Sequence, residues 1–126
     1  MMYGYADIMP AVNQIEIHPW LQRRALRAAT QAVGAVPIAY SPIARGLKNS
    51  DKRLLAIASR LGCTPSQVAI KWCIDSGCIT IPKSSDIHHI SENIESLQVD
   101  ISSELLNIQK LDEYYISSGW DPTSEP

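Results

Sequence analysis

The sequence predicts an α/β protein with a parallel sheet, because short apolar strands alternate with amphipathic helices along the chain. The strand candidates are three segments, residues 12–17, 36–40 and 78–81. Each of them is followed by apolar residues at helical spacing. Runs this short and this apolar are typical of buried parallel strands. The predicted order is strand, helix, strand, helix, helix, strand, helix, helix, with no internal repeat or linker.

The composition is that of a globular protein. The chain has 126 residues, of which 45% are hydrophobic and 19% charged, with a formal net charge of -2. This charge gives no whole-chain attraction for nucleic acid or anionic membranes, so any anion site must be local. The sequence has neither a signal-peptide pattern nor an apolar run long enough to span a bilayer. We therefore expect one cytoplasmic segment, 1–126, that binds a small molecule.

The cysteines do not form a disulfide framework or a metal site in this interpretation. Cys63, Cys73 and Cys78 are an odd number and lack the CxxC or Cys/His spacing of zinc ligands. We expect all three to be reduced and buried.

The first strand candidate alternates apolar and polar side chains and is stopped by His18 and Pro19. This alternation directs Asn13, Gln14 or Glu16 towards an interior or a site. An amphipathic helix is predicted next, starting near Leu21 and ended by a glycine at residue 34.

The second strand, residues 36–40, is nearly all apolar and leads into a loop at residues 41–46. Asp51 and its neighbours offer an N-cap to a helix that a glycine stops at residue 62. Thr64, Pro65 and Gln67 then form a capping box for a further helix, closed by a glycine at residue 77.

The third strand, residues 78–81, is closed by Pro82 and followed by one cation, two hydroxyls and a helix start: Lys83, Ser84, Ser85 and Asp86. A helix N-terminus and a cation at the carboxyl end of a strand predict an anion site. The alternative is that the serines and Asp86 only cap the helix that carries Ile87, Ile90, Ile94 and Leu97.

The last helix is predicted to open at residues 100–104 and to carry four residues on one face: Leu105, Ile108, Leu111 and Tyr115. The tail, residues 117–126, is predicted to be irregular.

Five co-linear segments of this chain resemble the carboxyl-terminal half of the aldo-keto reductases. They are PAVNQIEIHPWLQ, AYSPIARG, TPSQVAIKWCIDSG, ITIPKSSDIHHISEN and WDP. Their order and spacing are those of the family, and the pattern is most similar to small microbial and protozoan reductases of sugars, keto acids and prostanoid-like carbonyl compounds.

The resemblance implies part of a TIM (β/α)8 barrel, with the three strands as the sixth, seventh and eighth. It also implies an NADP(H) cofactor bound in extended form, without a Rossmann fingerprint, and a small carbonyl compound as substrate. The parent activity would be NADPH-dependent reduction of aldehydes and ketones.

Site residues follow from the resemblance position by position. Gln14 would hydrogen-bond the nicotinamide carboxamide and Tyr40 would stack under the nicotinamide ring, although an aromatic ring there also suits core packing. One loop would line the pyrophosphate, with Ser41, Pro42, Ile43, Ala44 and Gly46.

The adenosine end would be held by residues of the third strand–helix unit. Lys83, Ser84 and Ser85 would bind the 2′-phosphate, and Glu92 with Asn93 would contact the adenine end, although a lone lysine after a strand is often merely solvated. His89 stands where relatives commonly carry arginine. A neutral histidine adds little charge, so the preference for NADPH over NADH is left open; His88 is a second candidate for this role.

The catalytic tyrosine, lysine, aspartate and histidine of the family belong to the first half of the barrel, and none maps onto this sequence. Tyr3 and Tyr5 belong to no recognisable motif. We therefore assign no catalytic residue to this chain, and its own enzymatic activity stays open. A truncated or mis-started chain of this kind would have open sheet edges, which a completing chain or self-association would cover.

Two other functions remain compatible with the residues. One is a non-catalytic nucleotide-binding or barrel-completing fragment. The other is a stand-alone binder of phosphorylated sugars, whose phosphate site would not need Tyr40.

Overall fold

A computed structural model of the chain describes residues 6–124. Three strands alternate with five helices, in the predicted order. They are β1 (Val12–Glu16), α1 (Arg24–Ala32), β2 (Val36–Tyr40), α2 (Lys52–Leu61), α3 (Pro65–Asp75), β3 (Ile79–Ile81), α4 (Ile87–Glu95) and α5 (Leu105–Gln109). Short 3-10 turns lie at Ala44–Gly46, Ser96–Gln98 and Ser102–Glu104.

The sheet is parallel and has the strand order β1-β2-β3. Glu16 is level with Tyr40, and Tyr40 is level with Ile81, so the last residues of the three strands form one row. The segments that follow β2 and β3 therefore leave the sheet at the same edge, where the chain concentrates its polar loop residues.

The two faces of the sheet differ in burial. Ile15 and Ala39 pack into the core with residues of α2 and α3. On the other face, Val12, Ile79 and Ile81 are each more than 40% exposed. One face of the sheet is therefore covered by helices, and the other presents apolar side chains without cover from the described residues.

Capping fixes where three of the helices begin. Asp51 accepts a hydrogen bond from Arg53 N at 2.9 Å at the start of α2. At the start of α3, Gln67 N donates to Thr64 Oγ1 at 3.2 Å and Thr64 N donates to Gln67 Oε1 at 3.0 Å. Asp86 caps α4. These caps confirm the helix starts predicted from the sequence.

The last helix is shorter than predicted. α5 ends at Gln109, so Leu111 and Tyr115 lie beyond it, and Tyr114 has a left-handed φ of 56°. The N–H groups of Glu113 and Tyr115 donate to the Trp20 carbonyl at 3.2 and 3.0 Å. The chain leaves the helical path because it docks on the segment after β1.

The first helix also begins later than predicted, at Arg24. Leu21 and His18 instead exchange backbone hydrogen bonds, with Leu21 N to His18 O at 2.9 Å, and Arg23 has a left-handed φ of 47°. The first strand ends one residue early, at Glu16. Cys63 is only partly buried, unlike Cys73 and Cys78, which corrects the expectation that all three thiols are buried.

Residues 117–124 contain no helix or strand, as expected for the described part of the tail. Within residues 6–124, no helix combines the length and apolar character that a bilayer crossing requires. The same stretch holds no group of three side chains suited to a metal ion. Tyr3 and Tyr5 lie outside the described residues.

Candidate functional site

A groove of about 710 Å³ lies at the carboxyl edge of the sheet. Its walls come from the loop after β2, the segment after β3, the start of α3, and α4. The residues that line it are Ser41, Pro42, Ile43, Arg45, Gly46, Asn49, Thr64, Ser66, Ile81, Lys83, Ser84, His89, Glu92 and Asn93. We call this space the nucleotide groove below.

Most of the candidate residues come together in this groove, although they are far apart in sequence. Those that line it are Ser41, Pro42, Ile43, Gly46, Lys83, Ser84, His89, Glu92 and Asn93. Four others do not line it: Gln14, Tyr40, Ala44 and Ser85. Tyr40 is nevertheless level in the sheet with Ile81, which does line the groove. The ligand roles of these side chains stay predictions.

The loop after β2 has an unusual backbone. Ser41, Ala44 and Arg45 have positive φ values of 50°, 48° and 55°, although none is glycine. Such a conformation costs about 1 kcal/mol or more per residue and is concentrated at functional sites. Two hydrogen bonds hold it, from Ala44 N to Ser41 O at 2.8 Å and from Gly46 N to Ile43 O at 2.9 Å. The buried Ala44 anchors the loop in the core.

The start of α4 is capped by the residue that directly precedes it. Asp86 Oδ1 accepts from the N–H groups of His88 and His89 at 2.8 and 3.3 Å, and Asp86 N donates to Ser84 Oγ at 3.1 Å. The capping interpretation therefore holds for Asp86, while Ser84 Oγ bonds the backbone of Asp86 and no N–H group of the helix. Lys83, by contrast, makes no side-chain hydrogen bond or ion pair with any part of the chain from 6 to 124. The ammonium of Lys83 is thus available to an external anion.

The packing of α4 against α3 forms the remaining wall. Gln67 Nε2 donates to the Glu92 carbonyl at 3.1 Å and so joins the two helices at the groove. Thr64 lines the groove next to this contact. Five residues that line the groove were not predicted from the sequence as site residues: Arg45, Asn49, Thr64, Ser66 and Ile81. For Arg45 the signal was its place inside the predicted loop, between two residues assigned to the same site.

A buried polar cluster lies at the carboxyl end of β1. The Glu16 carboxylate, in a residue only 1% exposed, accepts hydrogen bonds from Ser117 N at 2.7 Å, Ser117 Oγ at 2.5 Å, Ser118 N at 3.3 Å and His18 Nε2 at 3.1 Å. Glu16 thus faces the interior, which is one of the orientations expected from the alternation in the first strand. Asn13 Nδ2 instead donates a hydrogen bond to Thr30 Oγ1 of α1 at 2.9 Å. Glu16 fixes the start of the tail next to the strand ends.

Burial and hydrogen bonding act in opposite directions on this cluster. Burial by itself raises the pKa of Glu16, but the hydrogen bonds from Ser117, Ser118 and His18 outweigh it and leave the pKa below its usual value. Burial, together with the positive charges of Arg23 and Lys48, lowers the pKa of His18, although the neighbouring Glu16 carboxylate acts in the opposite direction. The geometry therefore favours an ionised Glu16 that accepts from the Nε2–H of a neutral His18. The Nδ1 atom of His18 is buried without a hydrogen-bond partner in the described structure.

A family model described as "Aldo/keto reductase family" matches residues 4–115. The chain belongs to the aldo/keto reductase family. It is 42% identical to methylglyoxal reductase DkgA of Yersinia pestis over 108 residues, which cover 83% of this chain and 39% of that protein. It is 35% identical over 127 residues to the uncharacterized oxidoreductase C2F3.05c of Schizosaccharomyces pombe, covering 100% of this chain and 46% of that protein.

Solved structures of aldo-keto reductases are similar to this chain in fold. A Gox0644 variant in complex with NADPH aligns with a TM-score of 0.86 and 32% identity, covering 99% of this chain and 46% of that one. A Bombyx mori aldo-keto reductase in complex with NADP aligns with a TM-score of 0.81 and 27% identity, covering 97% and 43%. The chain thus spans less than half the length of these relatives.

Proposed function

We propose that this chain is the carboxyl-terminal, NADP(H)-binding portion of an aldo-keto reductase that reduces aldehydes or ketones with NADPH. The observation that carries the proposal is the nucleotide groove, which gathers candidate residues from two loops and α4 at one edge of the sheet. The NADPH and NADP complexes of two relatives of similar fold support the same cofactor class.

The groove suits a phosphorylated dinucleotide chemically. Its walls carry the hydroxyl of Ser41 and the ammonium of Lys83, which can donate hydrogen bonds to phosphate oxygens, whereas Ser84 Oγ donates to the Asp86 carbonyl at 3.3 Å. Lys83 has no partner within residues 6–124, so no internal ion pair has to be broken when an anion binds. The residues present therefore fit the group.

In the proposed arrangement the cofactor runs along the groove. Lys83, with Ser84 and Ser85, holds the 2′-phosphate, and the loop at residues 41–46 holds the diphosphate. Glu92 and Asn93 of α4 contact the adenine end, with His89 beside them.

The nicotinamide end lies towards Tyr40, at the end of β2, and Gln14 binds the carboxamide from β1. When bound, the nicotinamide supplies the hydride that reduces the carbonyl carbon. The residues of this chain bind and orient it, and the proton for the carbonyl oxygen comes from a residue outside this chain.

We propose that further strand–helix units of the family fold cover the open side of the sheet. Because the chain spans less than half the length of its relatives, those proteins contain more than as much chain again. Two apolar surfaces of the described residues are exposed. One is the sheet face with Ile79 and Ile81. The other is a ridge on and just after α4, formed by Ile87, Ile90, Ile94 and Leu97. Both lie next to the β3 edge, where an additional parallel strand and helix would pack.

The proposal is tested by titrating the chain with NADPH and measuring the quenching of tryptophan fluorescence. We expect saturable binding that Lys83→Ala weakens and that Lys110→Ala, a matched loss of an exposed lysine away from the groove, leaves unchanged. No binding by the wild-type chain would refute the function.

Turnover distinguishes the alternatives. Steady-state NADPH oxidation is measured with a reactive aldehyde such as nitrobenzaldehyde. Turnover lost in Lys83→Ala would indicate an enzyme in its own right, whereas binding without turnover fits the proposed portion of a larger reductase. Binding of phosphorylated sugars that survives Tyr40→Ala would favour the phosphate-sugar alternative instead.

A further inference from the structure

Lys48 joins the loop after β2 to the carboxyl-terminal part of the chain. Its ammonium forms an ion pair with Glu113 and lies 4.2 Å from the centre of the Tyr115 ring. The Lys48 side chain is only 23% exposed, so water and salt screen this contact less than they screen a fully solvated pair. Glu113 and Tyr115 belong to residues 112–118, which we call the strap below.

The strap is anchored by hydrogen bonds to β1 and to the segment that follows it. Gln22 N donates to Asp112 Oδ1 at 3.2 Å, and two N–H groups of the strap donate to the Trp20 carbonyl at 3.2 and 3.0 Å. Near the end of the strap, Ser117 N donates to the buried Glu16 carboxylate at 2.7 Å. The strap is therefore held independently of the loop and can act as a fixed support for it.

The loop that contains Lys48 is strained and forms a wall of the nucleotide groove. Three of its non-glycine residues have left-handed φ values, and such a backbone persists only where the surrounding structure holds it. The buried Ala44 holds one end of the loop. Lys48 lies between Gly46 and Asn49, which both line the groove, and Asn49 N donates to Gly46 O at 3.2 Å. Lys48 is thus placed to hold the other end.

Lys48 and its two partners stand outside the groove. None of the three is among the residues that line it within the described chain. Any effect of Lys48 on a ligand in the groove must therefore pass through the shape of the loop or through its charge.

We propose that Lys48 is a positioning residue of the cofactor site. By binding the strap, it holds the loop after β2 in the conformation that lines the groove, so that the loop and the strap become more rigid together when the cofactor binds. This inference rests on the proposed function, and it adds to it a link between the cofactor site and the strap.

The sign of one substitution separates positioning from simple electrostatics. As isolated charges, Lys48 would attract an anionic cofactor and Glu113 would repel it, so Glu113→Gln would strengthen NADPH binding. As a clamp, the two residues act together, and Glu113→Gln should weaken NADPH binding in the same way as Lys48→Met. We expect each variant to lose about three- to fivefold in affinity, the range of one partly exposed ion pair. The double variant should lose no more than the weaker-binding single variant.

Two further variants serve as controls, with folding checked by circular dichroism. Lys48→Arg keeps the charge and the ring contact and is expected to bind NADPH like the wild type. Glu104→Gln weakens a different ion pair, with Arg60 Nε at 2.6 Å from Glu104 Oε1, and is expected to leave the NADPH affinity unchanged.

Hydrogen exchange provides a readout that a purely structural role would not change. Coupling between two sites is reciprocal, so NADPH should slow exchange at the strap amides of Glu113 and Tyr115 in the wild type. The same amides should show no such slowing in Lys48→Met at saturating NADPH.

Stronger NADPH binding by Glu113→Gln would overturn the inference, as would wild-type affinity in both Lys48→Met and Glu113→Gln. An equal loss in Glu104→Gln would show a general loss of stability and would overturn it as well. No binding by the wild-type chain would refute the proposed function, and the inference with it.

Discussion

Glu16→Ala is predicted to be among the most destabilising single substitutions in this chain. The Glu16 carboxylate is 1% exposed and receives two hydrogen bonds from Ser117, one from Ser118 and one from His18. Alanine removes the acceptor for all of these donors at once. Buried N–H groups that lose their only acceptor pay their full desolvation cost.

The magnitude follows from the number and burial of the contacts. Each hydrogen bond to a charged group contributes about 1.5–3 kcal/mol, but bonds that share one acceptor are not additive. Each buried donor left without its acceptor costs about 1–3 kcal/mol, and Glu16→Ala leaves several such donors. We therefore expect the free energy of unfolding to fall by about 3–4 kcal/mol, a large part of the 5–15 kcal/mol typical of a domain.

Urea denaturation followed by tryptophan fluorescence measures this loss. With a slope of about 2 kcal/mol per molar urea, the midpoint should fall by about 1.5–2 M. Glu95→Ala, which removes an exposed carboxylate on α4, is the control and should change the free energy of unfolding by less than about 0.5 kcal/mol. A second readout is hydrogen exchange, which should accelerate at the amides of Ser117 and Ser118. A midpoint equal to that of Glu95→Ala would refute the reasoning.

Three further predictions concern pH, capping and association. Burial holds the pKa of His18 in the folded chain below its ordinary value of 6.5, so the contribution of His18 to stability is present above pH 6.5 and is lost as the pH falls below it. The free energy of unfolding should therefore decrease between about pH 7.5 and pH 5.5. The variant His18→Gln should show a weaker dependence on pH. Asp51→Ala removes the N-cap of α2 and the acceptor of the Trp20 Nε1 hydrogen bond at 2.9 Å, so the free energy of unfolding measured in urea should fall by about 1–2 kcal/mol. Asp51→Asn keeps a side-chain oxygen and should recover part of this loss. Equal losses in both variants would contradict this account of the cap. Ile94→Lys places a charge on the exposed apolar ridge of α4, so it should reduce the concentration-dependent self-association of the chain in sedimentation velocity and leave the urea midpoint of unfolding nearly unchanged. Unaltered self-association would argue against the ridge as a packing surface.

The features that were predictable from sequence are those encoded locally. The capping box at Thr64 and Gln67 and the cap at Asp51 depend on residues within three positions of each other, and both form as predicted. The parallel strands follow from their apolar runs and from the helices between them. The groove could be anticipated because the carboxyl ends of neighbouring parallel strands meet at one edge.

The features that were missed depend on contacts between distant parts of the chain. Glu16 and Ser117 are separated by 101 positions, and nothing in either local pattern indicates that one binds the other. The early end of α5 likewise results from the Trp20 carbonyl, which draws the N–H groups of Glu113 and Tyr115 away from a helical path. Arg45 was overlooked because a charged loop residue is ordinarily solvated.

The most direct test of the nucleotide groove is amide NMR of the isotope-labelled chain during titration with NADP⁺. The proposal predicts saturable shifts in residues 41–46, 83–85 and 89–93, with Tyr40 affected more weakly by a ligand lacking nicotinamide, such as adenosine 2′,5′-bisphosphate. Shifts centred instead on a separate cavity of about 480 Å³, lined by residues that include Arg23, Tyr114 and Thr123, would contradict it. So would the absence of any saturable shift.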